Sequence, residues 1–302
     1  MADRRLQVFH AVAKHLSFTK AAEALFMTQP AVTFQIRQLE EHFNTRLFDR
    51  AHGRIALTPA GQLALEYAEK ILGMSAELDT RLKEMSGQVS GPLLIGASMT
   101  VAEYLLPQVL GEFKSRHPGV VPRLFVANSE AVQARIAERT LDLGFIEGES
   151  HLPSLVTDIV CDDELQVICA PGHPLAKLKA VAPKLLAEHA YISREPGSGT
   201  REVIDLYLQK AGVAPDALQV VMELGSPEAL KGLAATGLGF AIMSRATVAK
   251  ETQIGALAAV PLAPPLTRHF SVVYPKERFH SRLVNGFVQF AKERVAALQG
   301  GV

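Results

Sequence analysis

The sequence predicts an α/β protein in three successive parts: a small helical unit, one long helix, and a large region of alternating strands and helices. Three observations carry this. Residues 3–43 place apolar side chains at helical spacing, and residues 59–88 keep a seven-residue apolar repeat. Beyond Pro92, the apolar runs LLIGA, RLFVA, LGFI and LQVICA recur between helical patterns, the signature of parallel α/β sheets. A chain of 302 residues accommodates two or three domains.

In order, a first helix is expected over Asp3 to His15, with Leu6, Phe9 and Ala13 inward. Ser17 and Thr19 offer cap oxygens to a second, Thr19 to Leu25, whose Ala21, Ala22 and Leu25 are buried. Thr28 caps a third, which holds Gln29 and Pro30 in its first turn, where a missing N–H costs nothing. On that helix Val32, Ile36, Leu39 and Phe43 share one side. Pro30, Thr33, Phe34 and Arg37 stand opposite, with Gln29 at the edge. Gln and Arg form paired bonds to base edges, Thr reaches a base or phosphate, and Phe or Pro can touch a thymine methyl. Periodicity alone leaves two readings, a DNA-reading helix and a three-helix domain with a solvated polar face.

The segment NTRLFDRAHGRIALTPAG then reads as a short hairpin wing turning at His52-Gly53. Arg50 and Arg54 flank its tip, placed for phosphates or a minor groove, or else as solvated turn charges. Lys plus Arg and Asp plus Glu balance at 31 each, yet residues 1–60 hold eight basic and five acidic side chains. The positive charge therefore concentrates where a DNA contact needs it.

Pro59 opens the long helix, on which Ala64, Ala68, Ile71, Ser75, Leu78, Leu82 and Met85 alternate by four and three. This seam predicts a dimer rod; the alternative is an amphipathic helix packed on its own domain. Gly73 weakens the helix by roughly 1 kcal/mol relative to Ala. The SGQVSGP stretch, Ser86 to Pro92, reads as a hinge. Further on, helices are expected over Val101 to His117, Ser129 to Arg139, Thr200 to Ala211, Ser226 to Ala235 and 281 to 298.

Four strand ends precede helices, where backbone N–H groups and the helix dipole favour an anion. They are Ser98-Met99-Thr100, Asn128-Ser129, Gly197-Ser198-Gly199-Thr200-Arg201 and Ser226. Any one could be an N-cap alone; their recurrence points to a shared site. The run GSGTR combines close backbone approach, two hydroxyls and a guanidinium suited to paired bonding, but lacks the Lys of a nucleotide-binding loop. Glu147, with His151 nearby, is a cleft residue of another kind: it orients Arg201, or accepts a proton from a protonated oxyanion or ligand hydroxyl. For His151 the alternative is a solvent-exposed loop.

The run from Phe9 to Gly61, through SFT, AAEAL, TQPAVT, QIRQLEE, LFDR and LTPAG, resembles the N-terminal winged helix-turn-helix of LysR-type transcriptional regulators. The resemblance extends over the whole chain. It implies a DNA-binding domain over 1–58, a dimerising linker helix over 59–88, and an effector-binding domain over 89–302. That last domain is expected to be a two-subdomain α/β unit of periplasmic-binding-protein type, with subdomain I at 92–162 and 266–302 and subdomain II at 163–265. The third helix would enter the major groove, so Thr28, Gln29, Pro30, Ala31, Thr33, Phe34 and Arg37 inherit DNA contacts. The resemblance further implies promoter DNA, a homotetramer built from dimers, and RNA polymerase as partners, and no enzymatic activity. GFIEG, REPGSGTR and MELGSPEALK look like the subgroup with sulfur-metabolism regulators of the CysL and YeiE kind and carbon-fixation regulators of the CbbR kind. No cofactor is expected. The effector would be a small anion, sulfite or a similar sulfur oxyanion being preferred and a phosphorylated metabolite the alternative.

Other classes fit less well. No nucleophile elbow, metal-ligand cluster or Ser/His/Asp set supports catalysis. Cys161 and Cys169 do not suggest a disulfide framework, though a thiol redox switch is a rival for them. No apolar run of membrane-spanning length occurs, and the start MADRRLQVF lacks the pattern of a secretory signal, so a cytoplasmic location is expected.

Overall fold

A computed structural model describes residues 3–49, 55–85, 89–276 and 281–299. The chain divides into two compact units, Met1–Gln88 and Val89–Val302.

In the first unit, α1 (Arg4–His15), α2 (Phe18–Ala24) and α3 (Gln29–Phe43) pack around Val8, Phe9, Val12, Ala21, Val32, Ile36 and Leu39. Side-chain caps set their starts: Asp3 accepts from Arg5 N–H, Ser17 from Lys20 N–H and Thr28 from Ala31 N–H. Left-handed residues Leu16 and Asn44 close α1 and α3. Phe43 departs from the expected stripe: it falls in the last turn and is half exposed.

The wing strands β1 (Phe48–Asp49) and β2 (Ala56–Leu57) pair antiparallel. Phe48 anchors them, its ring 5.4 Å from Phe9 and 5.9 Å from Phe18. Glu40 fixes the approach to the wing, accepting from the N–H groups of Leu47 and Phe48 at 2.8 and 3.2 Å. The expected turn at His52-Gly53, with Arg50 and Arg54, lies outside the described residues, as do 86–88 of the expected hinge.

Helix α4 (Pro59–Met85) starts at Thr58, whose hydroxyl donates to Arg46 C=O and accepts from Gly61 N–H. A Cβ at Gly61 would sit 2.0 Å from Leu47 O, so only glycine lets this helix approach the wing so closely. Ala68 is fully buried against the three-helix core, and Ala64 packs there too. The outward row is instead Leu63, Tyr67, Ile71, Met74, Leu78 and Leu82, all exposed. The expected seam thus splits: its alanines face the helical core, while Ile71, Leu78 and Leu82 belong to the free face.

In the second unit, β3 (Gly91–Ala97) lies parallel to β4 (Val120–Val126) and to β5 (Leu143–Glu147). The expected single helix after β3 is two, α5 (Met99–Tyr104) and α6 (Leu106–Arg116), broken where Pro107 enters the first turn of the second. Helix α7 (Ser129–Ala137) follows β4. Two long strands, β6 (Leu155–Cys169) and β10 (Ala258–Pro275), run antiparallel through the middle of a six-stranded sheet of order β4-β3-β5-β10-β6-β9. Parallel pairing therefore holds for β3–β5, but the sheet is mixed. The remaining elements are α8 (Pro183–Leu186), β7 (Ala190–Arg194), α9 (Gly199–Lys210), β8 (Gln219–Leu224), α10 (Pro227–Ala235), β9 (Ala241–Ser244), α11 (Ala249–Gln253) and α12 (Arg282–Gln299). Strands β7 and β8 pair parallel in a separate small sheet.

Two separate apolar cores form two lobes. One gathers Ile95, Val109, Phe113, Phe145, Val272 and Phe287; the other gathers Leu165, Val167, Tyr191, Ile204, Leu208, Phe240 and Ile242. Strands β6 and β10 contribute to both, so they carry the chain between lobes. Among the described residues, no helix is long and apolar enough to cross a membrane.

Candidate functional site

Two surfaces carry chemistry, one in each unit. On α3, Gln29, Pro30, Thr33, Phe34 and Arg37 together line a shallow groove of about 500 Å³. Phe34 is 56% exposed, directly opposite the buried Val32, Ile36 and Leu39. Thr33 donates to Gln29 C=O at 3.0 Å, and Arg37 is held by Glu41 at 2.8 Å on the same face. Thr28 caps the helix and Ala31 supplies the capped N–H, so both shape the helix start. Phe26, not singled out from the sequence, is 99% exposed with φ of 54° in the turn before α3.

The second surface lies between the lobes, where β5 ends and α5, α7 and α9 begin. Glu147 is its centre. Its side chain and that of Arg268 are each 1% exposed, with Nη1 to Oε1 at 3.8 Å. Burial alone would raise the Glu147 pKa, but Arg268 and Arg194, helped by the adjacent Thr100 and Ser98 hydroxyls, hold it below the usual carboxylate range. Ser98 Oγ and Glu147 Oε1 nevertheless fall short of hydrogen-bonding geometry, and with Ser198 Oγ they are buried and unpartnered among the described residues.

Arg268, inside β10, is the hub. Its Nε donates to Asp163 Oδ2 at 2.8 Å and its Nη1 to Thr200 Oγ1 at 2.7 Å. Ser244 donates to the other oxygen of Asp163 at 2.5 Å. Burial pushes Asp163 upward, Arg268 and Ser244 oppose this, and Glu147 adds to the rise. The two carboxylates compete for one guanidinium. Arg194 forms a two-point pair with Glu195, at 2.9 and 3.1 Å.

Backbone packing locks the loop that brings α9 in. Gly197 has φ of +80°, and a Cβ there would meet Glu130 Oε2 at 2.6 Å and Asn128 Nδ2 at 2.9 Å. A Cβ at Gly199 would meet Glu147 O at 2.4 Å and Ser129 Oγ at 2.8 Å. Asn128 Nδ2 donates to Pro196 C=O and Glu130 N–H to Gly197 C=O, both at 3.2 Å, so α7 clasps this loop. The glycines of GSGTR serve contact between lobes.

Of the residues expected at the cleft, Ser98, Thr100, Ser129, Glu147, Gly199 and Thr200 converge around Glu147, and Ser198 is buried beside them. Met99 is half-buried at the start of α5. Asn128 caps α7 and clasps Pro196. Ser226 caps α10 through Ala229 N–H. Arg201 turns away, donating to Glu223 at 2.5 Å and to Arg194 C=O at 3.1 Å, so it neither meets Glu147 nor offers a free fork. His151 is exposed and pairs with Glu202 at 2.5 Å. Sequence reasoning missed Arg194, Arg268 and Asp163; their available signal is charge inside otherwise apolar strands, in YISREP, LTRHFSVVY and CDDELQVIC. A wider opening of about 730 Å³ lies outside Ser198, between α7 and α9.

The two cysteines are free and are not bonded to each other. Both are buried, and burial pushes Cys161 up to about 12 and Cys169 up to about 11. They sit eight residues apart on β6, about 26 Å at strand rise, far beyond disulfide reach. Among the described residues, no group of His, Cys, Asp and Glu could hold a metal.

A three-helix unit with a wing, followed by a two-lobed unit with a buried polar cleft, has the layout of a ligand-responsive winged helix-turn-helix regulator. Residues 4–62 match the family described as "Bacterial regulatory helix-turn-helix protein, lysR family", and residues 86–296 match "LysR substrate binding domain". The chain belongs to the LysR family of transcriptional regulators, proteins that bind promoter DNA through the helix-turn-helix and oligomerise. It is not an enzyme. A protein of Cyanophora paradoxa described as "Probable RuBisCO transcriptional regulator" is 36% identical over 287 residues, covering 94% of this chain and 89% of the relative. Among solved structures, a full-length cysteine variant of OxyR from Pseudomonas aeruginosa matches with a TM-score of 0.72 at 19% identity, covering 98% of this chain and 94% of that one, a likeness of fold. The CcmR regulatory domain of Synechocystis PCC6803, in complex with 2-PG, matches with a TM-score of 0.63 at 28% identity, covering 68% of this chain and 98% of that one.

Proposed function

We propose that this regulator senses a small anion in the cleft between its lobes, held by Ser98, Thr100, Ser198 and Thr200 with the guanidiniums of Arg194 and Arg268. The observation carrying this is a pair of buried hydroxyls, Ser98 Oγ and Ser198 Oγ, that lack a hydrogen-bond partner among the described residues, in a site with two buried arginines. Such groups cost free energy unless something hydrogen-bonds them. The sequence motifs favour a sulfur oxyanion. The relatives, named for RuBisCO regulation or solved with 2-PG, favour the alternative, a phosphorylated carbon metabolite. Phosphate offers three acceptor oxygens to a set of hydroxyl and guanidinium donors.

The exposed row Leu63, Tyr67, Ile71, Met74, Leu78 and Leu82 supports a dimer through α4. The apolar edges Val121, Leu124 and Val126 on β4, and Val220, Val221 and Met222 on β8, support a second self-contact and thus a tetramer. Anion binding would shift the balance between lobe arrangements only as far as it favours one of them. The resulting change in DNA bend would alter contact with RNA polymerase. A thermal-shift panel of 2-PG, sugar phosphates, inorganic phosphate, sulfite, sulfate and thiosulfate tests the cleft. At least one anion should raise Tm, and Thr100→Ala and Ser198→Ala should abolish the rise; an effect unchanged in both variants discards the assignment.

A further inference from the structure

Glu147 is placed where a ligand anion would be expected. Its carboxylate lies 3.8 Å from the Arg268 guanidinium, beside the Ser98 and Thr100 hydroxyls and within the field of Arg194. One of its oxygens has no hydrogen-bond partner among the described residues. Its backbone is gripped from both sides, N–H by Ser129 Oγ at 3.4 Å and the C=O by the close approach of Gly199. The side chain is therefore aimed by β5, and its position is built in.

The charge balance of the cluster gives this placement a consequence. The charged groups facing Glu147 are Arg268 from β10, Asp163 from β6 and Arg194 from β7; α5, α7 and α9 present the hydroxyls and backbone of Ser98, Thr100, Ser129, Gly199 and Thr200. Arg268 is already paired with Asp163, and Arg194 with Glu195. Three carboxylates thus face two guanidiniums, and Glu147, at 3.8 Å from Arg268 against 2.8 Å for Asp163–Arg268 and 2.9 Å for Glu195–Arg194, is the most loosely paired of the three. A second anion among the same donors meets a like charge at contact distance, and two such charges do not both stay ionised.

We propose that Glu147 is a built-in occupant of the effector site, and that an anionic effector binds only as this carboxylate takes up a proton from solvent. This rests on the cleft reading above and adds its regulation: the neutral Glu147 then donates its O–H to the bound anion. Specificity follows, since an anion must accept that hydrogen bond to displace the internal charge. Burial would raise the free carboxylate, but Arg268 and Arg194 outweigh it and hold it below its ordinary range, so it is ionised throughout the neutral range. Binding therefore gains one proton, and affinity falls about tenfold per pH unit as pH rises.

The test is calorimetric titration of the full chain with 2-PG at pH 8, in buffers of different ionisation heat. A phosphate monoester, with a second pKa of about 6, is fully ionised there. The wild type should take up close to one proton per site. Glu147→Gln should take up close to none, and should bind at least about tenfold more tightly at that pH. A wild-type uptake near zero overturns the proposal. Uptake that persists in Glu147→Gln also overturns it, by assigning the proton elsewhere; Glu147→Ala serves if the glutamine variant does not melt cooperatively. Binding abolished by Ser198→Ala but without proton uptake removes this inference and keeps the cleft. No binding of 2-PG, phosphate or sulfite to any variant removes both.

Discussion

Single side chains set what each surface can read. Arg37 is restrained by Glu41 but remains 76% exposed, so the pair lies in high dielectric and a guanine edge competes for the guanidinium at little cost. Arg37→Ala should lose about 1–3 kcal/mol on the best operator and little on random DNA, narrowing the difference between them. Binding titrations on both DNAs measure this, and equal losses would end the base-reading role. The residue scale is also where the sequence was hardest to read. Serine and threonine before a helix announce themselves by position, which is why Ser98, Thr100 and Thr200 were legible. Arg268 and Arg194 were not, because a charge inside a strand looks like an outward-facing one until the partner across the lobes is known. Arg201 shows the converse: its neighbours in sequence suit an anion, and in the structure its guanidinium pairs with Glu223 and Asp205.

Helices and strands add constraints that no single residue shows. The start of α4 depends on Gly61, whose missing Cβ makes room for Leu47 C=O. Gly61→Ala must push the helix off the wing and should cost about 1–3 kcal/mol, the usual penalty of overpacking, read as a lower Tm of the first unit. An unchanged Tm would mean that this junction yields freely. Element by element, the three-helix core and its caps followed directly from periodicity. The α4 seam followed only in part, since a long helix with apolar residues on two sides gives one blended repeat. Its small residues turned inward, where Ala68 meets the core, and its large ones outward. The break between α5 and α6 was marked by Pro107, and the length of β6 and β10 was hidden because each gains its second partner over only part of its course, β5 beside β10 and β9 beside β6.

The second unit as a whole has a further bridge between lobes, at the other end of α5 from Thr100. Lys231 on α10, 6% exposed, pairs with Glu251 at 2.7 Å and Glu228 at 2.8 Å, and donates to Tyr104 Oη at 2.9 Å on α5. Burial opposes its charge, but these three partners raise its pKa above the ordinary lysine value. A raised lysine stabilises fully below its unfolded pKa of about 10.4, and the contribution fades as pH rises through the higher folded value. Lys231→Met should therefore cost about 2 kcal/mol at neutral pH, discounting for the exposed Glu228, and the gap from wild type should close as pH rises into strong alkali. Urea unfolding at neutral and alkaline pH checks the sign; a gap that instead widens as pH rises would contradict it. Tyr104 ends the same helix that begins at Met99, so this bridge and the Thr100 hydroxyl share one short rod.

Strands β6 and β10 give the two lobes a mechanical character. They pass between lobes as a hydrogen-bonded ribbon, interrupted only between Pro261 and Leu266 and again at Phe270 and Ser271. Interstrand bonds resist sliding, whereas a paired ribbon tolerates a wide range of twist. The connection has the form of a torsion bar: it yields to a turn of one lobe about its long axis more readily than to sliding along that axis.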